Sequence, residues 1–177
     1  MDLDLKRSII ADLDRFLKRK DYYRRLGKAW KRGYLLHGPP GSGKTSLYLF
    51  QRQQREGITL SGLLNFIDGL WSTSGEENII VFTTNYKDHL DPALLRPGRM
   101  DMHVYMGYCG WEAFKTLAQN YFLVDDHVLF PEIQELLSAV EVTPAEVSEM
   151  LLRNEDVDVA LQGLKEFLEE KKQGKQT

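Results

Sequence analysis

An α/β core with a small parallel sheet, followed by an all-helical subdomain, is the fold that this 177-residue sequence predicts. Three observations predict it. A glycine-rich loop, Gly38-Pro39-Pro40-Gly41-Ser42-Gly43-Lys44-Thr45, joins a short apolar stretch, Gly33 to His37, to a run of helix formers without Gly or Pro, Thr45 to about Gln54. Ile79-Ile80-Val81-Phe82 is a continuous β-branched and aromatic run that reads as a buried parallel strand. From Trp111 onward, apolar residues recur at helical spacing.

Ahead of the loop, Leu3, Ile9, Ile10, Leu13, Phe16 and Leu17 fall on one side of a helix over residues 3 to 19, with charges between them. That helix is expected to pack on the core. Asp21 is expected to cap a second short helix through Tyr22, Tyr23 and Leu26, which Gly27 stops. Eight basic residues lie between Lys18 and Gly33 against the single acid Asp21. Their interleaving with Tyr22, Tyr23 and Trp30 raises a nucleic-acid surface as one reading, but no recognised module frames them. A solvated helix face is the reading adopted, with no nucleic acid as partner.

The loop itself fits Gly, four residues, then Gly-Lys-Ser/Thr, the spacing that cradles phosphates. Gly41 and Gly43 let the backbone curl so that successive N–H groups point inward, and a helix starting at Lys44 adds its positive end to the same place. Residues Gly38, Pro39, Pro40, Gly41, Ser42, Gly43, Lys44, Thr45 and Ser46 are therefore the candidate nucleotide-binding set. Lys44 would reach the terminal phosphates, and the Thr45 hydroxyl would ligate a magnesium ion bridging the β- and γ-oxygens. The alternative is a chance glycine-rich turn, against which the strand before it and the helix after it both argue.

Only fourteen residues, 46 to 59, separate Thr45 from the next patterned segment, which leaves room for one helix and a turn. Ser61 is placed to cap a helix with Leu63, Leu64, Ile67, Leu70 and Trp71 on its apolar side, ended by the loop Ser72 to Glu77. The strand Asn78 to Thr84 follows and finishes in Thr83, Thr84 and Asn85. Ligands of open α/β sheets gather at the carboxyl ends of strands, so Asn85 is a candidate for holding an attacking water or a γ-phosphate. A plain structural cap at a strand end is the competing reading. Asp91-Pro92 is expected to open a one-turn helix that Pro97-Gly98 breaks, displaying Arg96 and Arg99 on a rigid corner. Permanently charged guanidinium groups there suit a phosphoryl transition state, and ordinary salt bridges would use them equally well. Met102 to Met106 alternates as a third strand.

The helical part carries Phe114, Leu117, Ala118 and Tyr121, then Ile133, Leu136 and Leu137 after Pro131. Thr143-Pro144-Ala145-Glu146 predicts a capping box, and a last helix bears Val157, Ala160, Leu161, Leu164, Phe167 and Leu168 before a polar tail at Lys171. These stripes are core rather than a cofactor box. Acids outnumber bases thirteen to five from Asp125 onward, opposite in sign to the basic start, which would favour head-to-tail packing of copies. Two solvated faces without a partner are the equal alternative. The net charge of −3 exerts no global pull toward nucleic acid. Cys109 is the only cysteine, so no intrachain disulfide forms and a reducing compartment is natural. No apolar run approaches the roughly 20 residues that cross a bilayer, and Asp2 and Asp4 sit where a secretory signal needs positive charge.

The loop, the Asn-terminated strand and the corner Asp91-Pro92-Ala93-Leu94-Leu95-Arg96-Pro97-Gly98-Arg99-Met100-Asp101 together make the chain resemble an AAA ATPase. Lys31-Arg32-Gly33-Tyr34-Leu35-Leu36, Leu60 to Trp71 and Phe82-Thr83-Thr84-Asn85-Tyr86 resemble, more narrowly, the plant mitochondrial-type members, relatives of the BCS-type translocase that inserts an iron–sulfur protein into a respiratory complex. The similarity runs over roughly residues 2 to 172. It implies an α/β P-loop NTPase core of the AAA kind at residues 1 to 110, with a reduced parallel sheet, and a C-terminal helical lid with a polar tail at 111 to 177. By the same resemblance Gly38 to Thr45 is the Walker A loop, Lys44, Asn85, Arg96 and Arg99 form the catalytic set, and ATP with magnesium is the cofactor. Asn85 is then the first sensor, and the two arginines are offered to a neighbouring subunit's nucleotide in a ring of like subunits or full-length relatives. A protein substrate is implied, as is association with a mitochondrial or endoplasmic-reticulum membrane. Family members generally bear a membrane anchor and a family-specific segment before the ATPase module, and this chain is expected to have neither.

The sequence departs from the family at residues 46 to 59, where a second strand, a helix and a third strand ending in the Walker B acids belong. Those acids support magnesium and polarise water, yet no run of four apolar residues followed by Asp-Glu occurs. Asp68 follows Asn65-Phe66-Ile67, but in a segment of helical period. Since AAA sheets are ordered 5-1-4-3-2, loss of the second and third strands would leave 5-1-4 contiguous, with an exposed edge. Two functions compete on these grounds: ATP binding with impaired hydrolysis, coupled in the family to protein remodelling or translocation, and a non-catalytic ring-assembly subunit.

Overall fold

The computed structural model describes residues 3 to 44 and 78 to 174. The helix expected after Thr45, the short stretch 46 to 59 and the helix expected at Ser61 lie outside the described residues. Those described fall into two compact units: residues 4 to 38, 44 and 78 to 105 make one, and residues 3, 39 to 43 and 106 to 174 make the other.

In the first unit, β1 (Lys31–His37) lies between β2 (Asn78–Thr84) and β3 (Met102–Tyr105), and both pairings are parallel. This is the reduced order that the sequence predicts, with the loop-bearing strand in the middle. Gly33 to Leu36 are buried, as a central strand covered on both faces requires. β2 is half-buried rather than buried, because among the described residues it pairs on one side only. β3 stops at Tyr105, one residue earlier than its alternation suggests.

Helix α1 (Leu3–Leu17) buries Phe16 but leaves Ile10 and Leu17 exposed, so the apolar stripe is only partly used. What ties it to β1 is polar. Asp12 accepts from Arg32 Nε at 2.9 Å and Nη2 at 2.6 Å and from the Tyr34 hydroxyl at 2.8 Å. Burial, then the Asp12 carboxylate, pushes the Tyr34 phenol well above its ordinary range, so it remains a donor. Trp30 Nε1 donates to the Phe16 carbonyl at 3.1 Å, with the two rings 5.5 Å apart. The short α2 (Lys20–Arg25) starts after Arg19 with no side-chain cap, so Asp21 lies in its first turn instead of capping it. A carboxylate there still complements the helix's positive end.

Residues 91 to 101 form successive turns rather than the one-turn helix expected. Leu94 N–H donates to the Asp91 carbonyl at 2.9 Å and Leu95 N–H to Pro92 at 3.2 Å, an i to i+3 pattern, while the Asp91 carboxylate takes Ala93 N–H at 2.7 Å. Leu94 and Met100 pack on Leu35, with Ile80, Phe82, Leu90 and Leu95 around them. The corner then closes on the start of β1. Asp101 N–H donates to the Gly33 carbonyl at 2.8 Å, and the Asp101 carboxylate accepts Gly33 N–H at 2.9 Å and Gly98 N–H at 2.8 Å.

The second unit is a four-helix bundle: α3 (Trp111–Phe122), α4 (Phe130–Ala139), α5 (Pro144–Leu152) and α6 (Val157–Gly174). Phe114, Ile133, Val147, Leu151, Leu161, Leu164 and Leu168 are fully enclosed, each contributing about 1.5–3 kcal/mol of burial. Trp111, Phe114 and Phe130 stack and edge on one another at 5.3 to 5.5 Å between centroids. The capping box at α5 forms as predicted.

Two substitutions probe this packing. An ideal Cβ on Gly33 would lie 1.7 Å from the Arg99 carbonyl oxygen, so Gly33→Ala should cost about 3 kcal/mol or more, read as a lower urea midpoint. Leu123 closes α3 at φ 59 while 79% exposed, so Leu123→Gly should raise the unfolding free energy by roughly 1 kcal/mol.

Candidate functional site

The parallel register sets the site. His37 is level with Thr84 on one side and Tyr105 on the other, so Gly38 and Asn85 both leave the sheet at its carboxyl edge. Asn85 is exposed, next to Tyr86, whose N–H caps back onto Thr84 Oγ1 at 3.0 Å. Lys44, 7% exposed, sends Nζ to the Gly38 carbonyl at 2.8 Å. Burial lowers its pKa. A lysine so placed is held beside the loop's own backbone rather than in water, poised to exchange a neutral carbonyl for an anionic oxygen. His37 senses the same surroundings: burial, then Lys87, His103 and Lys44, hold its imidazole below the ordinary value.

The loop's middle, Pro39 to Gly43, belongs with the bundle unit. Gly41 has φ +77, and a Cβ there would meet Thr143 Oγ1 at 2.9 Å and Ala145 Cβ at 3.2 Å. Only glycine fits. The Gly41 carbonyl accepts Ala145 N–H at 3.1 Å, and this completes the first turn of α5. Pro144 has no N–H, Thr143 N–H goes to Glu146 Oε2 at 2.8 Å, and Glu146 N–H goes to Thr143 Oγ1 at 3.3 Å. With its carbonyl taken and Ser42 buried, the loop tip has a fixed backbone. Gly43 also has positive φ, 86 degrees, so the curl that a phosphate cradle needs is present.

The arginines lie elsewhere. The Arg99 carbonyl abuts Gly33, five extended residues or roughly 16 Å before Gly38 along β1. Arg96 is exposed, and Arg99 Nη1 donates to the Ala93 carbonyl at 2.7 Å. Gly38, Lys44 and Asn85 therefore share one edge of the sheet, and Arg96 and Arg99 do not join them. Thr45 and Ser46 lie outside the described residues. Sequence reasoning passed over His37 and Lys87 at the rim, and Thr143 and Ala145 behind Gly41. His37 was legible as the last residue before the loop; the contact with Thr143 spans a hundred residues and leaves no local signal.

Two open concavities of about 340 and 600 Å³ lie on the bundle, sharing Val159, Gly163 and Glu166. Acids exceed bases in their walls, Glu166 and Glu170 against Arg153 in one and Asp158 and Glu166 beside His127 in the other, which disfavours a polyphosphate. Among the described residues no group of three or more His, Cys, Asp or Glu side chains is arranged to hold a metal ion. No helix among them is long and apolar enough to cross a membrane.

Burial would raise the Glu146 carboxyl, but Lys171 at 2.5 Å and the Thr143 N–H and hydroxyl outweigh it and hold it below its ordinary value. A folded-state value depressed in this way stabilises the fold above the ordinary carboxylate range and is lost as pH falls through the depressed value. The thermal midpoint should therefore drop more steeply on acidification in the wild type than in Glu146→Gln, which calorimetry at pH 7 and pH 3 would check.

Residues 49–108 match the family described as "ATPase family associated with various cellular activities (AAA)", and residues 109–177 match the "At3g28540-like, AAA+ ATPase lid domain". Among curated proteins, the chain is 46% identical to AAA-ATPase At3g50940 of Arabidopsis thaliana over 98% of its length and 51% of the relative's. It is 47% identical to AAA-ATPase At5g17760, covering 96% of this chain and 46% of that protein. To Protein HYPER-SENSITIVITY-RELATED 4 it is 45% identical, covering 97% and 41%. All three are from Arabidopsis thaliana, and the chain spans about half the length of these relatives or less. The alignments run over 229, 232 and 234 positions against 177 residues here, so each relative carries residues that face gaps in this sequence.

Proposed function

Because the chain belongs to the AAA ATPase family, we propose that it is an ATP-binding module that takes Mg-ATP at Gly38 to Ser46 and hydrolyses it slowly. The observation that carries this reading is the buried Lys44 ammonium at 2.8 Å from the Gly38 carbonyl, at the carboxyl edge of a parallel sheet. Glycine N–H groups and Lys44 hold the phosphates. Thr45 would hold the magnesium ion, which when bound would supply charge neutralisation to the phosphates. Asn85 orients the attacking water from the end of β2. Arg96 and Arg99, remote from this chain's own loop, serve the nucleotide of a neighbouring copy in a ring. The core runs to about residue 110 and the lid from 111, the lid contributing Thr143 and Ala145 as the wall behind Gly41. The module belongs to the plant mitochondrial-type branch, in which turnover drives remodelling or translocation of a protein at a mitochondrial or endoplasmic-reticulum membrane.

Slow turnover follows from residues 46 to 59, where we place the gap that the longer alignments require. Without Walker B acids there is no general base and one support fewer for magnesium, and the rate falls by orders of magnitude while binding survives. The same gap favours a second reading, a subunit that joins rings of full-length relatives without a working site of its own.

Calorimetry should show saturable Mg-ATP uptake that Lys44→Ala weakens at least about tenfold, a loss of roughly 1.4 kcal/mol or more. Absence of uptake by folded protein overturns the nucleotide reading. Family-like steady-state turnover that Lys44→Ala abolishes overturns slow hydrolysis.

A further inference from the structure

We propose that one face of α6 is a docking groove for a cationic amphipathic helix of a partner protein, which seats an apolar side chain over Gly163 and brings lysines or arginines to Glu166 and Glu170. The groove lies within the bundle unit, and the proposal does not rest on the nucleotide reading.

Val159, Gly163 and Glu166, which line both concavities of the bundle, are spaced i, i+4 and i+7 and so share one face of α6. The loop before α4, at His127 to Leu129, walls the larger hollow, and the end of α5, from Met150, walls the smaller. Gly163 belongs to both. An ideal Cβ there would meet nothing within 4 Å, so alanine would fit, and glycine costs a helix interior more backbone entropy than alanine does. Packing within the bundle therefore does not call for glycine at this position. What the missing side chain does is keep the two hollows continuous, along a stripe that reaches Glu170, about 16 Å from Val159 along the helix.

The stripe is apolar at its start and acidic further on. Val159 is 53% exposed, and Val128, on the wall of the larger hollow, is 81% exposed. The cations in the walls already have partners, Arg153 with Glu149 at 3.1 Å and His127 with Asp158 at 2.8 Å. Glu166 accepts a hydrogen bond from a neutral donor, Gln162 Nε2 at 2.9 Å, and no ion pair reaches Glu166 or Glu170 among the described residues. Four residues apart, these two carboxylates repel each other on the free helix. Charge of that sign repels a nucleic acid or an anionic bilayer and attracts lysine and arginine. The exposed valines ask for an apolar anchor as well, and an elongated hollow beside a helix suits a second helix laid along it.

Fluorescence anisotropy on the full chain tests this with a labelled peptide of about 18 residues, leucine and lysine in amphipathic helical order. Binding should saturate and weaken as salt rises. Control peptides with glutamate for lysine, or serine for leucine, should bind at least about tenfold more weakly. Gly163→Leu should raise Tm by about 2–4 °C and yet weaken the leucine and lysine peptide at least about tenfold, by filling the groove. Glu166→Gln combined with Glu170→Gln should weaken it about tenfold and flatten the salt dependence. No saturable binding overturns the proposal, as does equal binding of either control peptide or Gly163→Leu binding like wild type. Should Gly163→Leu fail to fold, the double glutamine variant decides, and wild-type affinity there overturns the proposal. Self-association in sedimentation velocity that Gly163→Leu abolishes and the peptide disperses gives the groove to a second copy and overturns a partner protein as its occupant.

Discussion

One carboxylate holds the α/β unit together where its chain would otherwise part. Asp101 gives acceptors to the N–H groups of Gly33 and Gly98 while its own N–H returns to the Gly33 carbonyl. Gly33 opens the buried stretch of β1, and a buried amide left unpaired there would cost on the order of 1–3 kcal/mol. The close approach is possible only because residue 33 has no side chain, since the Arg99 carbonyl occupies the volume a Cβ would need. From this clamp β1 runs straight to the glycine-rich loop, so one strand meets the arginine corner at its start and leads into that loop at its end. Asp12 adds a third attachment through Arg32 and Tyr34, bringing α1 onto the same strand.

The bundle stands on a different kind of interaction. Its enclosed leucines, valines and aromatic residues form a core of their own, with polar contacts on its surface and at helix ends. At α5 that chemistry does two things. Thr143 and Glu146 satisfy each other, Lys171 holds the Glu146 carboxylate, and the one remaining first-turn N–H, from Ala145, goes to Gly41. A helix start that would stand as a plain capping box is therefore also the backing of the loop tip.

What the sequence made legible was local. The loop spacing, the β-branched run of β2 and the Thr-x-x-Glu box each depend on residues within one short window, and each predicts its element. Asp21 does not cap, because the helix already begins at Lys20, with Arg19 in the cap position and Asp21 inside the first turn. The turn after Asp91 stayed at i to i+3 bonds because Pro97 and Gly98 leave no length for a helix. β2 reads as buried from composition, yet how many neighbours a strand has is a property of the sheet and not of the strand. The same limit applies to the site: Lys44 and Asn85 are visible in their motifs, but their spacing does not say that Arg99 bonds the Ala93 carbonyl while Arg96 stays exposed.

Cys109 is 2% exposed beneath the bundle's helices, and burial pushes its thiol up to about 11. Protonated and enclosed at neutral pH, it is a poor nucleophile toward maleimides or iodoacetamide. The protein is therefore a natural background for single-site labelling: a cysteine introduced on an exposed position such as Tyr86 would carry a fluorophore or spin label alone, with no need to remove the native sulfur from the core.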